Sequence, residues 1–279
     1  MGLFSKECAV CGGTADLLSG KKISDGKICK ECVEKLSPWF TDYDGATTES
    51  IKNQIAARRE NRGKLDNFNV TKAWGVKKYP VATQFIYDGE NRNFVVVEGP
   101  EETFREKNPD IISFSQVRDV YLEVAEDWSE TKDQYAVKKT SAQLLQENYD
   151  KVYWRYDFIL HIELDHPYLT EISYQMNFKT TVMKVPQRKF MYRRGLEFNG
   201  EFRRKEIKEQ IARLKSLIES EDGAIDRGKA VDAIIGANDN EPMAEAVVSG
   251  IKDDIYLSKI ANIIKHVERA NRISDLLLA

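Results

Sequence analysis

The apolar positions change their spacing several times along this chain. Between residues 46 and 69, Ile51, Ile55, Leu65 and Phe68 fall close to one face of a helix, and Thr47, Thr48 and Ser50 stand near its start. Lys52, Arg58, Arg59, Arg62 and Lys64 occupy the other face of that helix. From 80 to 185 the rhythm is that of strands. Phe85-Ile86-Tyr87, then Asp88-Gly89-Glu90-Asn91, then Phe94-Val95-Val96-Val97 predict strand, turn, strand. Ile111 to Phe114 and Val117 to Val124 continue the β region, with Val120, Leu122 and Val124 alternating. A polar insertion around 126–150 predicts a hairpin or loop. The clearest alternation sets Phe158, Leu160, Ile162 and Leu164 against Asp157, His161, Glu163 and Asp165. It resumes after Asp165-His166-Pro167-Tyr168 with Ile172, Tyr174, Met176 and Phe178, which predicts an antiparallel hairpin with one apolar face. Ile207, Ile211, Leu214 and Ile218 then restore a helical stripe over 200–220, ended by Gly223. The remainder reads as helical, with Asn240-Glu241-Pro242 as a start signal and Ile251, Ile255, Ile260, Ile263, Ile264 and Val267 along its face.

The first forty residues follow neither period. They hold few large apolar side chains and all four cysteines, as Cys8-Ala9-Val10-Cys11 and Cys29-Lys30-Glu31-Cys32. The spacing C-x₂-C-x₁₇-C-x₂-C is that of a four-sulfur zinc site. Each C-x₂-C lets one tight turn aim two sulfurs at the same ion, and Gly12-Gly13 supplies the backbone freedom the first turn needs. Ser24-Asp25-Gly26 predicts a hairpin turn between the pairs, and Val33 to Leu36 predicts a short helix stopped at Ser37-Pro38. Knuckle, hairpin and ligand-bearing helix make a zinc-ribbon or treble-clef-like arrangement. With four sulfurs and no histidine near in sequence, the expected role of one Zn²⁺ is structural rather than catalytic. A segment this small needs the metal to supply most of its folding free energy. Paired thiol–disulfide motifs are the competing reading, weakened by the absence of a βαβ context. Iron could occupy the same sulfurs, although zinc suits them better.

Composition narrows the rest. Hydrophobic residues make up 42% of 279, enough for a core, and charged residues at 31% imply solvated helical faces. The formal charge is −3, and loading Zn²⁺ on four thiolates brings it to about −5. Such a chain has no global attraction for nucleic acid. The apolar runs are far shorter than a membrane helix needs and the N-terminus lacks a signal-peptide core, so a cytoplasmic location is expected. No Gly-rich phosphate loop, activated serine with a histidine partner or nucleotide fingerprint is present, and no enzymatic activity is expected.

Two further groups bear on function. His161, Glu163, Asp165 and His166 invite a metalloenzyme reading, but alternation places His166 opposite the other three, which favours a solvated face ending in a turn. The basic run from Lys189 to Lys215 carries Arg193, Arg194, Arg203 and Arg204 with interleaved aromatic residues. Mixed charge favours a soluble helical face, yet these residues, with Arg58, Arg59 and Arg62, are candidates for contact with an anion or a partner.

Met1-Gly2-Leu3-Phe4, the two C-x₂-C pairs, Asp25-Gly26 and Leu36-Ser37-Pro38-Trp39-Phe40 resemble a bacterial domain-of-unknown-function family whose members open with a four-cysteine zinc module. Ile51 to Ile55, Arg58-Arg59-Glu60-Asn61 and Phe68-Asn69 look like the helix that follows it there, and Asn108-Pro109-Asp110, Phe114 to Val117 and His166-Pro167-Tyr168 extend the likeness. The resemblance implies a pleckstrin-homology or GRAM-like β domain, a bent antiparallel barrel closed by one helix. The expected architecture is thus α+β: a four-cysteine zinc module at 1–40, a linking amphipathic helix at 41–79, a β barrel with closing helix at 80–222 and a helical tail at 223–279. Three functions compete. A non-catalytic interaction or adaptor protein, self-associating through 224–279, is preferred. A nucleic-acid binder using the zinc module and basic helix, or a peripheral adaptor on anionic lipid, are the alternatives.

Overall fold

A computed structural model describes residues 6–16, 19–75, 82–129, 151–177, 180–186, 198–219 and 255–279. The chain forms two compact units: Met1–Ala73, Gln84–Arg118 and Glu163–Ile172 build the first, and Trp74–Thr83, Asp119–Ile162 and Ser173–Ala279 the second.

The first unit begins with β1 (Lys6–Glu7) paired antiparallel to β2 (Thr14–Ala15), then the hairpin β3 (Lys21–Ile23) and β4 (Gly26–Ile28), then the short helix α1 (Lys30–Val33). Helix α2 (Thr48–Leu65) follows. Its start is over-determined. Thr47 and Ser50 form a reciprocal capping box, and Asp25, from the β3–β4 turn, accepts from the N–H of Thr48 at 2.8 Å. Its end is held by Arg105, which donates to the carbonyls of Leu65 (3.1 Å) and Phe68 (2.7 Å).

The inward face of α2 mixes apolar and polar side chains: Ile51, Gln54, Ile55, Arg58, Asn61 and Leu65 are all buried. Ile51 and Ile55 join Ile23, Ile28, Leu36 and three of the cysteines in one core, so the helix completes the hydrophobic interior of the cysteine module. A second core gathers Leu65, Phe68, Ile86, Val95, Val97 and Phe104.

Strands β5 (Lys72–Gly75), β6 (Thr83–Asp88), β7 (Asn93–Glu98) and β8 (Ile112–Ser113) form a sheet in that order, and its central pair, β6 and β7, is the predicted strand–turn–strand. Asp88 organises its turn by accepting from the N–H of Asn91 at 3.0 Å and that of Asn69 at 2.8 Å.

The second sheet contains β9 (Val117–Ser129), β10 (Lys151–Leu164), β11 (Glu171–Gln175), β12 (Thr181–Pro186) and β13 (Gly200–Arg203), ordered β11-β10-β9-β13 with β12 also on β10. Phe158, Leu160, Ile162, Leu164, Ile172, Tyr174 and Met176 are buried, as the alternation predicts. Helices α3 (Arg204–Glu219) and α4 (Ile255–Leu277) complete the second unit. Ile207, Ile211 and Leu214 of α3 and Ile263, Ile264 and Val267 of α4 are buried. Helix α4 packs on the sheet: His266 stacks on Phe158 at 4.9 Å, and Arg269 donates to the carbonyl of Met176.

The expected barrel is corrected here. Among the described residues the strands lie in separate sheets and none closes on itself. The helix at 200–220 is preceded by a strand, and it pairs with α4 rather than plugging a barrel. Residues 130–150, Phe178, Gly223, the Asn240-Glu241-Pro242 start signal and Ile251 lie outside the described residues. No described helix is long and apolar enough to cross a membrane.

Candidate metal centre

The two cysteine pairs converge. All four sulfur atoms lie within 4.8 Å of one another. Cys8 and Cys32 approach to 3.8 Å, and Cys11 and Cys29 to 3.6 Å. Four sulfurs at ~2.3 Å from a tetrahedral ion would stand about 3.8 Å apart, so these spacings suit one enclosed ion; a disulfide would need ~2.05 Å.

Local structure explains the convergence. In the first turn the N–H of Gly12 donates to the carbonyl of Cys8 at 2.8 Å, and Gly12 takes φ +75, a conformation that favours glycine. The N–H of Ala9 reaches the carbonyl of Lys27 at 2.9 Å, which ties this turn to β4. In the second pair, Cys29 is the N-cap of α1 and Cys32 sits in its first turn. The N–H of Cys29 points at Cys8 Sγ from 3.3 Å, so a backbone donor already faces a sulfur of the other pair.

Burial and hydrogen bonding act differently on the individual thiols. Burial opposes ionisation of Cys8, but N–H groups of Cys11, Cys29 and Val10 outweigh it and draw the thiol down to about 6. Burial and the neighbouring thiols push Cys29 and Cys32 the other way. Cys8 thus carries charge readily while Cys29 and Cys32 resist it, and a dication is the natural compensation for four thiolates in so small a space. Cys8, Cys29 and Cys32 are buried and Cys11 is exposed. These residues can coordinate a metal ion such as Zn²⁺, and among the described residues they are the one group of metal-ligating side chains found together.

The other candidates are dispersed. His161 meets Glu123 at 2.9 Å and stacks on Tyr121, while Glu163 pairs with Arg118 at 3.1 Å and His166 packs edge-on to Tyr168. They do not assemble as a metal site. Arg59 and Arg62 are exposed on α2. Arg58, expected beside them, points inward: it is 7% exposed, pairs with Asp110, and donates to the carbonyls of Asn108 (2.8 Å) and Lys35 (3.1 Å). Arg203 pairs with Asp119 and lies over the Tyr121 ring, and Arg204 donates to Asp275 at 2.6 Å. Arg193 and Arg194 lie outside the described residues.

Sequence reasoning missed the node around Asp110. Its carboxylate binds Arg58 and accepts from the hydroxyl of Ser37 at 2.6 Å, with the Tyr168 hydroxyl 3.5 Å away. Asn61 adds bonds to Pro109 and Ile111. Ser37, Arg58, Asp110 and Tyr168 are far apart in the chain, and no local pattern signals that they meet.

The site is therefore a four-cysteine cluster of the kind that encloses a metal ion. Residues 6–54 match a family described as a domain of unknown function, DUF4428. No curated protein and no solved structure matches the chain.

Proposed function

We propose that this chain is a non-catalytic interaction protein whose N-terminal module folds around one structural Zn²⁺. The supporting observation is the close approach of Cys8, Cys11, Cys29 and Cys32 Sγ within 4.8 Å. Four sulfur donors saturate a tetrahedral ion and leave no position for a reacting water, which favours structure over catalysis. The cysteines also share a core with α2, so metal binding organises the face that the module and helix present together.

The test starts with protein purified under reducing conditions. Elemental analysis is expected to find zinc near one equivalent per chain, and Cys29→Ser should lose most of it. Protein carrying no stoichiometric metal overturns the proposal, and stoichiometric iron with the matching absorbance replaces its metal. Capture of a protein partner by the full chain, lost in Cys29→Ser, supports the interaction role.

A nucleic-acid reading keeps one specific support, the exposed Lys52, Arg59, Arg62 and Lys64 on α2. Binding through them would weaken steeply as salt rises. Of the cations behind a lipid reading, Arg203 and Arg204 are engaged by Asp119 and Asp275.

A further inference from the structure

Beside the module, within the first unit, lies a groove of about 550 Å³. Its walls come from three segments distant in sequence: the loop after α1, the flank of α2 that carries Ser50, Asn53 and Gln54, and the turn between β10 and β11. Trp39, Phe40, His166 and Tyr168 contribute rings, and Asp42 contributes a carboxylate. None of the lining side chains is lysine or arginine, in a chain that contains 42 of them.

We propose that this groove receives a lysine-type side chain, its ammonium free or methylated, from an exposed segment of a protein partner. The assignment rests on the interaction reading above and names the chemistry of the partner.

Charge complementarity carries the argument. Aromatic faces are electron-rich and attract an organic cation that sheds part of its water, and a carboxylate at the rim adds direct attraction. An anionic ligand would find no cation in these walls. Asp42 is fixed rather than free to swing, because its Oδ1 accepts from the N–H of Gly45 at 2.9 Å. The rings are also set. His166 and Tyr168 meet edge-on at 4.4 Å between centroids, and Tyr168 is tethered towards Asp110 through its hydroxyl. Asp110 itself is already neutralised by Arg58, so the net charge of the lining is that of Asp42. Burial pushes His166 below its ordinary value despite the opposing charge of Asp110, and it therefore offers a neutral ring at pH 7. The groove is larger than one ammonium group, and the exposed amide of Asn53 lies along it to meet the backbone that carries the cation.

The test uses the full chain after its metal content has been measured. Capped peptides identical but for one central residue (lysine, trimethyllysine, acetyllysine or glutamate) are titrated into isotopically labelled protein, and shifts are followed by NMR. Lysine and trimethyllysine peptides are expected to move the resonances of Trp39, Phe40 and Tyr168, and acetyllysine and glutamate to bind at least tenfold more weakly. Asp42→Asn, which keeps the turn's hydrogen bond, should weaken the lysine peptide severalfold, and Trp39→Leu should do the same. Equal binding of acetyllysine, indifference to Asp42→Asn, shifts confined to another surface, or no shift at millimolar peptide each overturn the assignment. A chain that holds its metal yet ignores lysine overturns the groove alone. A chain without metal overturns the zinc reading, and the same titration still judges the groove.

Discussion

Arg58 and Asp110 are both nearly inaccessible to water, and each has its hydrogen-bonding capacity largely filled. Such a pair adds little net stability when intact, because both charges lose their hydration, but removing one partner strands the other. Asp110→Asn or Arg58→Met is therefore expected to lower the unfolding free energy by about 3–5 kcal/mol, measured by urea denaturation. Arg58→Lys should recover only part of this loss, since one ammonium cannot reach the carboxylate and two carbonyls at once. An arginine among Arg59, Arg62 and Lys64 reads as solvated, and its buried partner lies 52 residues downstream. Nothing in the local pattern connects them. The cysteines were legible because each ligand pair is close in sequence, and one turn suffices to aim both sulfurs.

Between α3 and α4 the pairing is electrostatic as well as apolar. Asp275 accepts from Arg204 at 2.6 Å and lies 3.0 Å from Lys208, while Lys215 meets Glu268 at 3.3 Å. Burial alone would raise the Asp275 carboxyl, but the hydrogen bonds and charges of Lys208 and Arg204 outweigh it and hold it below the usual range. A carboxyl depressed in the folded state contributes stability above its unfolded value, near 3.8, and loses it as pH falls through the folded value. In acid titrations followed by circular dichroism, Asp275→Asn should show a shallower loss of stability below about pH 4 than the parent chain. The elements themselves were well marked. The period of two in Phe158 to Leu164 needs only one buried sheet face, and the stripe on α3 needs only one buried helix face. Barrel closure is different in kind, because alternation fixes which side chains point inward and leaves open which strands pair at the edges.

At the scale of the molecule, the four-cysteine module is joined to helix α2 through a common interior of Ile23, Ile28, Leu36, Ile51 and Ile55. The family match ends at residue 54, inside α2 and next to the last of these contacts. Chelation should therefore reach beyond the cysteine turns. Hydrogen exchange after metal removal is expected to accelerate at residues 8–36 and at the first turns of α2, with the amides of α4 unchanged. Acceleration confined to the cysteine turns would show that the helix keeps its place unaided. In the zinc-loaded form proposed above, the unequal exposure of the four cysteines would set the traffic of the ion. Three sulfurs sit behind side chains and only Cys11 faces outward, so a scavenging thiol or an oxidant must engage that corner before any other. Departure of the ion would then begin at a single bond, and its lifetime in the cell would follow the chemistry of that one doorway more closely than the affinity of the closed cluster.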